Sequence, residues 1–188
     1  MSRPRPEPVQ VVKQRRDAAL AALVASVPYA RFLNITFDRR GDELTAQLNF
    51  DHKLIGNPFL PAIHGGVTAA FLEMTAVMTL TWANLWERIE SGSLDVEELA
   101  SGKLPRQPKT IDFTVDYLRS GLPRDAYARA TVSRSGRRYA SVHVAAWQDH
   151  KDKLFAQATG HFLMPQEAAT HSSASPEFVA DAVPDDKA

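Results

Sequence analysis

The 188-residue sequence predicts a single α+β domain in which a curved antiparallel sheet wraps around one long central helix, with an added N-terminal helix. Three observations lead there. From residue 66 to about residue 89 the chain is apolar or small on nearly every helical face, and a helix that is hydrophobic all round must be buried all round. Alternating apolar and polar residues mark strands before and after it. The later strands are joined by short turns, which connect antiparallel neighbours.

Length and composition set the bounds. A chain of this size fits one core with short extensions, and 44% apolar with 23% charged residues is ordinary for a soluble globular protein. Twenty-two Lys and Arg balance 22 Asp and Glu, so no overall field draws the chain to nucleic acid or to an anionic membrane. Any anionic ligand must be held locally. There is no cysteine, which excludes a disulfide framework, a thiolate metal site and a cysteine nucleophile, and which suits the cytoplasm expected for this chain.

The elements follow in order. Residues 1–8, with Pro4, Pro6 and Pro8, are expected as an irregular lead-in to one domain over 9–164. The basic run Lys13-Gln14-Arg15-Arg16 before an apolar stretch has the look of a signal peptide. Asp17 interrupts it, however, and Leu20, Leu23, Val24 and Val27 have the spacing of an amphipathic helix. Residues 32–37 read as a strand, Arg40-Gly41-Asp42 as a turn, and Leu44, Ala46, Leu48 and Phe50 as the inward side of a second strand. After the central helix comes a polar connection over 90–109, with a helical turn expected around 96–99. Ile111, Phe113, Val115 and Tyr117 then alternate with polar residues along a half-buried strand. Further strands are expected at 125–134, 138–148 and 153–164. The tail over 165–188 holds too few large apolar residues to offset its ordering entropy and is expected to be disordered, with Phe178 and Val179 as its docking residues.

From residue 54 to residue 86 only His64 and Glu73 can titrate. A buried carboxylate without partners is expensive, and the helix neighbours of Glu73 are Ala69, Ala70, Ala76 and Val77. Another strand, another subunit, water or substrate must satisfy it. A structural role at a partly wet interface and a catalytic role weigh about equally on this ground alone. Next to it, His64-Gly65-Gly66 opens the helix with two residues lacking side chains, so backbone N–H groups at the positive end of the dipole can approach a ligand and receive developing oxygen charge. Eight residues separate Gly65 from Glu73, about 12 Å along a helix. They can act on one carbonyl only if two helices run antiparallel across a two-fold axis, which implies a homodimer or a dimer of dimers.

The order ββ-α-ββββ is that of a hotdog fold. The run from His64-Gly65-Gly66 to Glu73, nine positions after the histidine, resembles the signature of PaaI-like hotdog acyl-CoA thioesterases. Thr110-Ile111-Asp112-Phe113-Thr114-Val115-Asp116-Tyr117-Leu118-Arg119 and the strand at Tyr127-Ala128-Arg129-Ala130 resemble the strands that follow, and the likeness spans about 32–164. The resemblance implies hydrolysis of an acyl-CoA thioester without a cofactor or metal. Glu73 would be general base or nucleophile, Gly65 N–H the oxyanion donor and His64 a positioning residue, with Gly66 beside the substrate. Many members carry Asn six residues before the histidine; here that position is Pro58, the spacer is one residue longer, and Asn57 is the candidate amide.

Coenzyme A phosphates would need cations, for which Arg119, Arg134, Arg137 and Arg138 stand near strand ends. Arginines at such places are commonplace. His143 and His161 read as sheet-surface residues, and Trp82 and Trp86 as packing within the helix. No spacing suggests a metal site. Two other readings are compatible with the fold: a hotdog enoyl-CoA hydratase or dehydratase, with His52 in the loop role, and a non-catalytic acyl-CoA-binding module.

Overall fold

A computed structural model describes residues 7–91, 97, 99 and 105–166. Of the expected lead-in only Glu7 and Pro8, and of the expected tail only Pro165 and Gln166, fall within this set; the remainder of both lies outside the described residues. Helix α1 (Val9–Ala25) is followed by a short α2 (Pro28–Phe32), strands β1 (Ile35–Arg40) and β2 (Glu43–Leu48), a 3-10 turn (His52–Leu54), and strands β3 (Ile55–Asn57) and β4 (Leu60–Ile63). The long α3 (Gly65–Glu90) then leads to β5 (Lys109–Tyr117), β6 (Ala126–Ser135), β7 (Tyr139–Trp147) and β8 (Leu154–Leu163). Six strands form one antiparallel sheet in the order β1-β2-β6-β7-β8-β5, and among the described residues β3 pairs only with β4. With α3 packed across this sheet, the arrangement is the hotdog fold.

Helix and sheet fit because many of the inward positions of the sheet are small. Ala46, Ala126, Ala128, Ala140, Ala156 and Ala158 are at most 1% exposed, and their short side chains let α3 press Phe71, Leu72 and Leu80 into the concave face. Each such large side chain contributes roughly 1.5–3 kcal/mol on burial. Threonines inside the helix are satisfied within it: Thr75 Oγ1 donates to Phe71 C=O at 2.8 Å and Thr81 Oγ1 to Val77 C=O at 2.7 Å. α3 is long and apolar enough to cross a membrane, but 61% of its most apolar window is buried inside the protein, so its apolarity serves the core. A second cluster joins Ala19, Leu20 and Leu23 of α1 to the C-terminal half of α3, where Trp82 and Trp86 stack at 6.0 Å as the spacing predicted. Leu99 is buried there too, while most of the turn expected at 96–99 lies outside the described residues.

Two expectations change and one is extended. Residues 32–37 are not a single strand: Pro28, at the first helical position, starts α2, Asn34 turns the chain through φ 58°, and β1 begins only at Ile35. The spacer before His64, read only as one residue longer than usual, folds as the β3–β4 hairpin, with Pro58 and Phe59 at its tip. Helix α3 is not covered all round in the single chain, since Gly66, Ala83, Asn84 and Glu87 are exposed and Glu73 is half-buried.

Gly160 on β8 marks the tightest contact beneath β5. A Cβ there would lie 2.4 Å from the Phe113 ring and 2.9 Å from that of Phe162. Gly160→Ala should therefore cost about 1–3 kcal/mol through overpacking, measured as a lower urea midpoint; an unchanged midpoint would show that β5 gives way freely.

Candidate active site

The entry to α3 is fixed by two backbone bonds and by the capped turn before them. Asp51 accepts from Lys53 N–H at 3.0 Å, a bond that holds its carboxyl below the usual carboxylate value and closes the 3-10 turn. That turn ends at Leu54, whose carbonyl accepts from His64 N–H at 2.8 Å, while Ile63 N–H donates to Gly121 C=O at 2.8 Å. The His64 imidazole caps the helix, its Nδ1 accepting from Gly66 N–H at 2.9 Å, which requires a neutral ring with its proton on Nε2. Gly56 makes room for that ring, because a Cβ there would meet His64 Cδ2 at 2.4 Å.

Gly65 and Gly66 consequently differ. The Gly66 N–H is taken by His64, whereas the Gly65 N–H has no acceptor among the described residues. The carbonyl of His64 is held inside the helix by Thr68 N–H at 3.0 Å and by Thr68 Oγ1 at 3.4 Å. In a trans peptide the N–H points opposite to the C=O, so Gly65 N–H is aimed out of the helix N-terminus. The Gly65 carbonyl accepts from Tyr117 Oη on β5 at 2.9 Å.

Glu73 is satisfied from another strand: Thr110 Oγ1 donates to its Oε1 at 2.6 Å. Strict alternation would turn Thr110 away from α3, on the face opposite Tyr117. The register shows why it does not. Thr110 pairs with Phe162 and Asp112 with His161, so Ile111 is an extra residue that shifts the phase of β5. Thr110, Phe113, Val115 and Tyr117 therefore share the face toward α3. Ile111, expected to be on that face, is 55% exposed. Thr110 and Tyr117 are the residues the sequence did not single out, and a bulge leaves no mark in an apolar pattern.

The remaining candidates are dispersed. Asn57 stands at the end of β3, and its Oδ1 accepts from Phe59 N–H at 2.9 Å, closing the hairpin tip. His52 packs edge-on against Phe50 at 5.4 Å. Arg119 follows β5 at the Gly65 end of the sheet and reaches Leu154 C=O at 3.4 Å. Arg134, Arg137 and Arg138 lie at the opposite end, where β6 passes into β7 and β5 begins. Arg137 lines a cleft of about 640 Å³ beside the C-terminal half of α3. One chain thus cannot gather all four arginines around a single ligand phosphate. A slightly larger cleft, about 670 Å³ between α1 and β1, contains none of the candidate residues. His161 bonds Asp112 at 2.9 Å and stacks on Tyr139. Among the described residues no group of three or more His, Cys, Asp or Glu could hold a metal ion.

Residues 57–163 match the family model described as acyl-CoA thioesterase N-terminal domain. The medium/long-chain acyl-CoA thioesterase YigI of Salmonella typhimurium is 32% identical over 144 residues, covering 75% of this chain and 88% of the relative. The chain belongs to the acyl-CoA thioesterase family. The Escherichia coli YigI is equally similar, at 32% over 143 residues. Among solved structures, a Shewanella oneidensis protein related to the thioesterase superfamily superposes with TM-score 0.63 at 25% identity, covering 84% of this chain and 99% of that one. A Bacillus halodurans protein solved with CoA shares the fold at TM-score 0.56 and 18% identity, covering 83% and 94%. This thioesterase therefore carries its helix-start glycines and its helix carboxylate on the scaffold that its relatives use.

The Gly56–His64 contact yields a direct expectation. Gly56→Ala should push the imidazole off Gly66 N–H and remove a helix cap, at a cost of about 1 kcal/mol, read as a lower melting temperature together with a shifted Gly66 amide resonance. Full stability with an unmoved Gly66 amide would show that the ring adjusts without losing its bond.

Proposed function

We propose that this thioesterase hydrolyses medium- to long-chain acyl-CoA esters with Glu73 as general base or nucleophile and Gly65 N–H as the oxyanion donor, the two supplied by different protomers of a homodimer. The observation that carries this reading is the Thr110–Glu73 bond at 2.6 Å. A carboxylate on a core helix, with one oxygen held by a hydroxyl and the other left for chemistry, is aligned in advance. As base, Glu73 takes a proton from water while the water oxygen adds to the thioester carbon. Gly65 N–H receives the negative oxygen. Collapse expels the CoA thiolate, which takes the proton back from Glu73, giving free acid and CoA. In the nucleophilic variant the Glu73 carboxylate adds to the thioester carbon, and collapse breaks the C–S bond and expels the CoA thiolate. Water then opens the mixed anhydride to free acid and Glu73, the released proton going to the thiolate. His64 sets the helix start, Gly66 borders the substrate, and the Asn57 amide, whose oxygen is engaged in its own turn, contributes its NH₂. The chain length of the acyl group is taken from the names of the relatives.

Several features support a dimer. Gly65 and Glu73 are about 12 Å apart along α3, too far to flank one carbonyl. β5 is a sheet edge of nine residues, and an open edge of that length invites pairing. Along it and at the β3–β4 tip, Ile111, Tyr117, Leu118, Phe59 and Leu60 are 50–94% exposed. The two-fold axis that brings Gly65 of one protomer to Glu73 of its partner also brings the Arg119 end of one sheet toward the Arg134, Arg137 and Arg138 end of the other, reuniting cations for the CoA phosphates. A dimer of dimers would add a second, different two-fold interface, since the first is already occupied within each dimer. The cytoplasm is the compartment we assign, in keeping with a chain that has no cysteine to oxidise.

Glu73→Ala should abolish thiol release from acyl-CoA, a loss of at least about 10³-fold in kcat, with the fold intact by circular dichroism; turnover kept in that variant would remove the mechanism. Thr110→Val should lower kcat by about 10- to 100-fold, the worth of a hydrogen bond to a charged group, and an unchanged kcat would reduce Thr110 to packing. Shared sites are tested by complementation. Gly65→Pro deletes the N–H at a position where proline suits the helix start. Mixing it with Glu73→Ala should restore activity, because each heterodimer regains one site with both groups intact, whereas sites built within one chain would give none.

A further inference from the structure

We propose that Tyr117 is a positioning residue for the oxyanion donor, clamping the Gly65–Gly66 peptide from the side opposite His64; the proposal rests on the reading of Gly65 N–H given above. The peptide unit that follows Gly65 is held at both ends. Its carbonyl accepts from Tyr117 Oη at 2.9 Å, and its N–H, that of Gly66, donates to His64 Nδ1 at 2.9 Å. The unit before Gly65 is held at its carbonyl by Thr68. Two adjacent peptides of a helix start, where glycines have the widest backbone freedom, are thereby fixed, leaving Gly65 N–H directed outward with no acceptor among the described residues.

The clamp needs a phenol of this reach on β5. An ideal Cβ on Gly65 would sit 3.5 Å from the Tyr117 ring and hydroxyl, so the ring lies in ordinary contact over the glycine and the bond to the carbonyl spans no gap. Tyr117 shares its face of β5 with Thr110 because of the extra residue at Ile111. One strand therefore sets both halves of the chemistry, the donor through Tyr117 and the carboxylate through Thr110. An oxyanion donor gains its effect from being fixed before charge develops, which gives the second hydroxyl a purpose beyond stability: the Gly65 carbonyl, already inside a helix, does not require it.

The test uses the full chain and an acyl-CoA ester. Tyr117→Phe, which keeps the ring, should lower kcat about 5- to 10-fold, the worth of one neutral hydrogen bond, with KM within about two-fold, and the Gly66 amide should exchange faster with solvent. Wild-type kcat, a raised KM with kcat kept, or unchanged Gly66 exchange each overturns the clamp. Replacing Tyr117 by 3,5-difluorotyrosine preserves the side chain's size but gives a phenol that ionises near neutral pH. Its kcat should fall as pH rises through that ionisation, since a phenolate cannot donate, while the parent protein's does not; parallel profiles again overturn the proposal, even if the Phe variant misfolds. Glu73→Ala is assayed alongside. If that variant remains active, the thioesterase mechanism fails, whereas the Gly66 exchange still decides the clamp.

Discussion

Everything in this molecule depends on burying α3 against a sheet many of whose inward side chains are alanine. A 26-residue helix carrying Phe71, Leu72, Met78, Leu80, Trp82 and Trp86 cannot remain in water, and a curved sheet lined with alanine lets it approach closely enough to exclude solvent. Carboxylates are poorly tolerated in such a helix. Glu73 persists because it lies on the flank that the single chain leaves partly open, within reach of one hydroxyl.

That flank is governed by β5. Among the described residues it pairs on one side only, with β8, and its irregularity at Ile111 changes which side chains point inward. Bulges re-aim side chains at little cost in pairing. Here the shift exchanges an apolar residue for Thr110, so the position facing Glu73 becomes a donor. Had alternation continued, Ile111 would face the carboxylate and leave it unpaired.

The opposite end of the helix solves a different problem. Helix starts leave N–H groups without partners, and this one employs three hydroxyl or imidazole groups, from Thr68, Tyr117 and His64, to fix the peptides on either side of Gly65. A histidine cap is unusual beside the favoured Ser, Thr, Asp and Asn. It works because Gly56 and Gly66 lie against the ring, Gly56 with no room for a side chain and Gly66 with little. The donor and the carboxylate stand at separate points along one rod, so the scaffold divides its chemistry between two places, and the arginines are divided in the same way.

By itself the sequence determined the helix that had to be central, the N-terminal helix, the four later strands to within a residue or two, and the family, because hydrophobic period and a short glycine-acid spacing are local properties written directly in the chain. It also exposed the central difficulty, that Glu73 has no partner on its own helix. The partner's identity came only from tertiary structure. Thr110 is 37 residues away and reaches Glu73 through a one-residue slip, and Tyr117 reaches Gly65 across 52 residues. Neither contact has a period, since each depends on how a strand lies across a helix. The β3–β4 hairpin and the turn at Asn34 were likewise hidden, because proline and asparagine mark a break in the chain without saying what the chain does next.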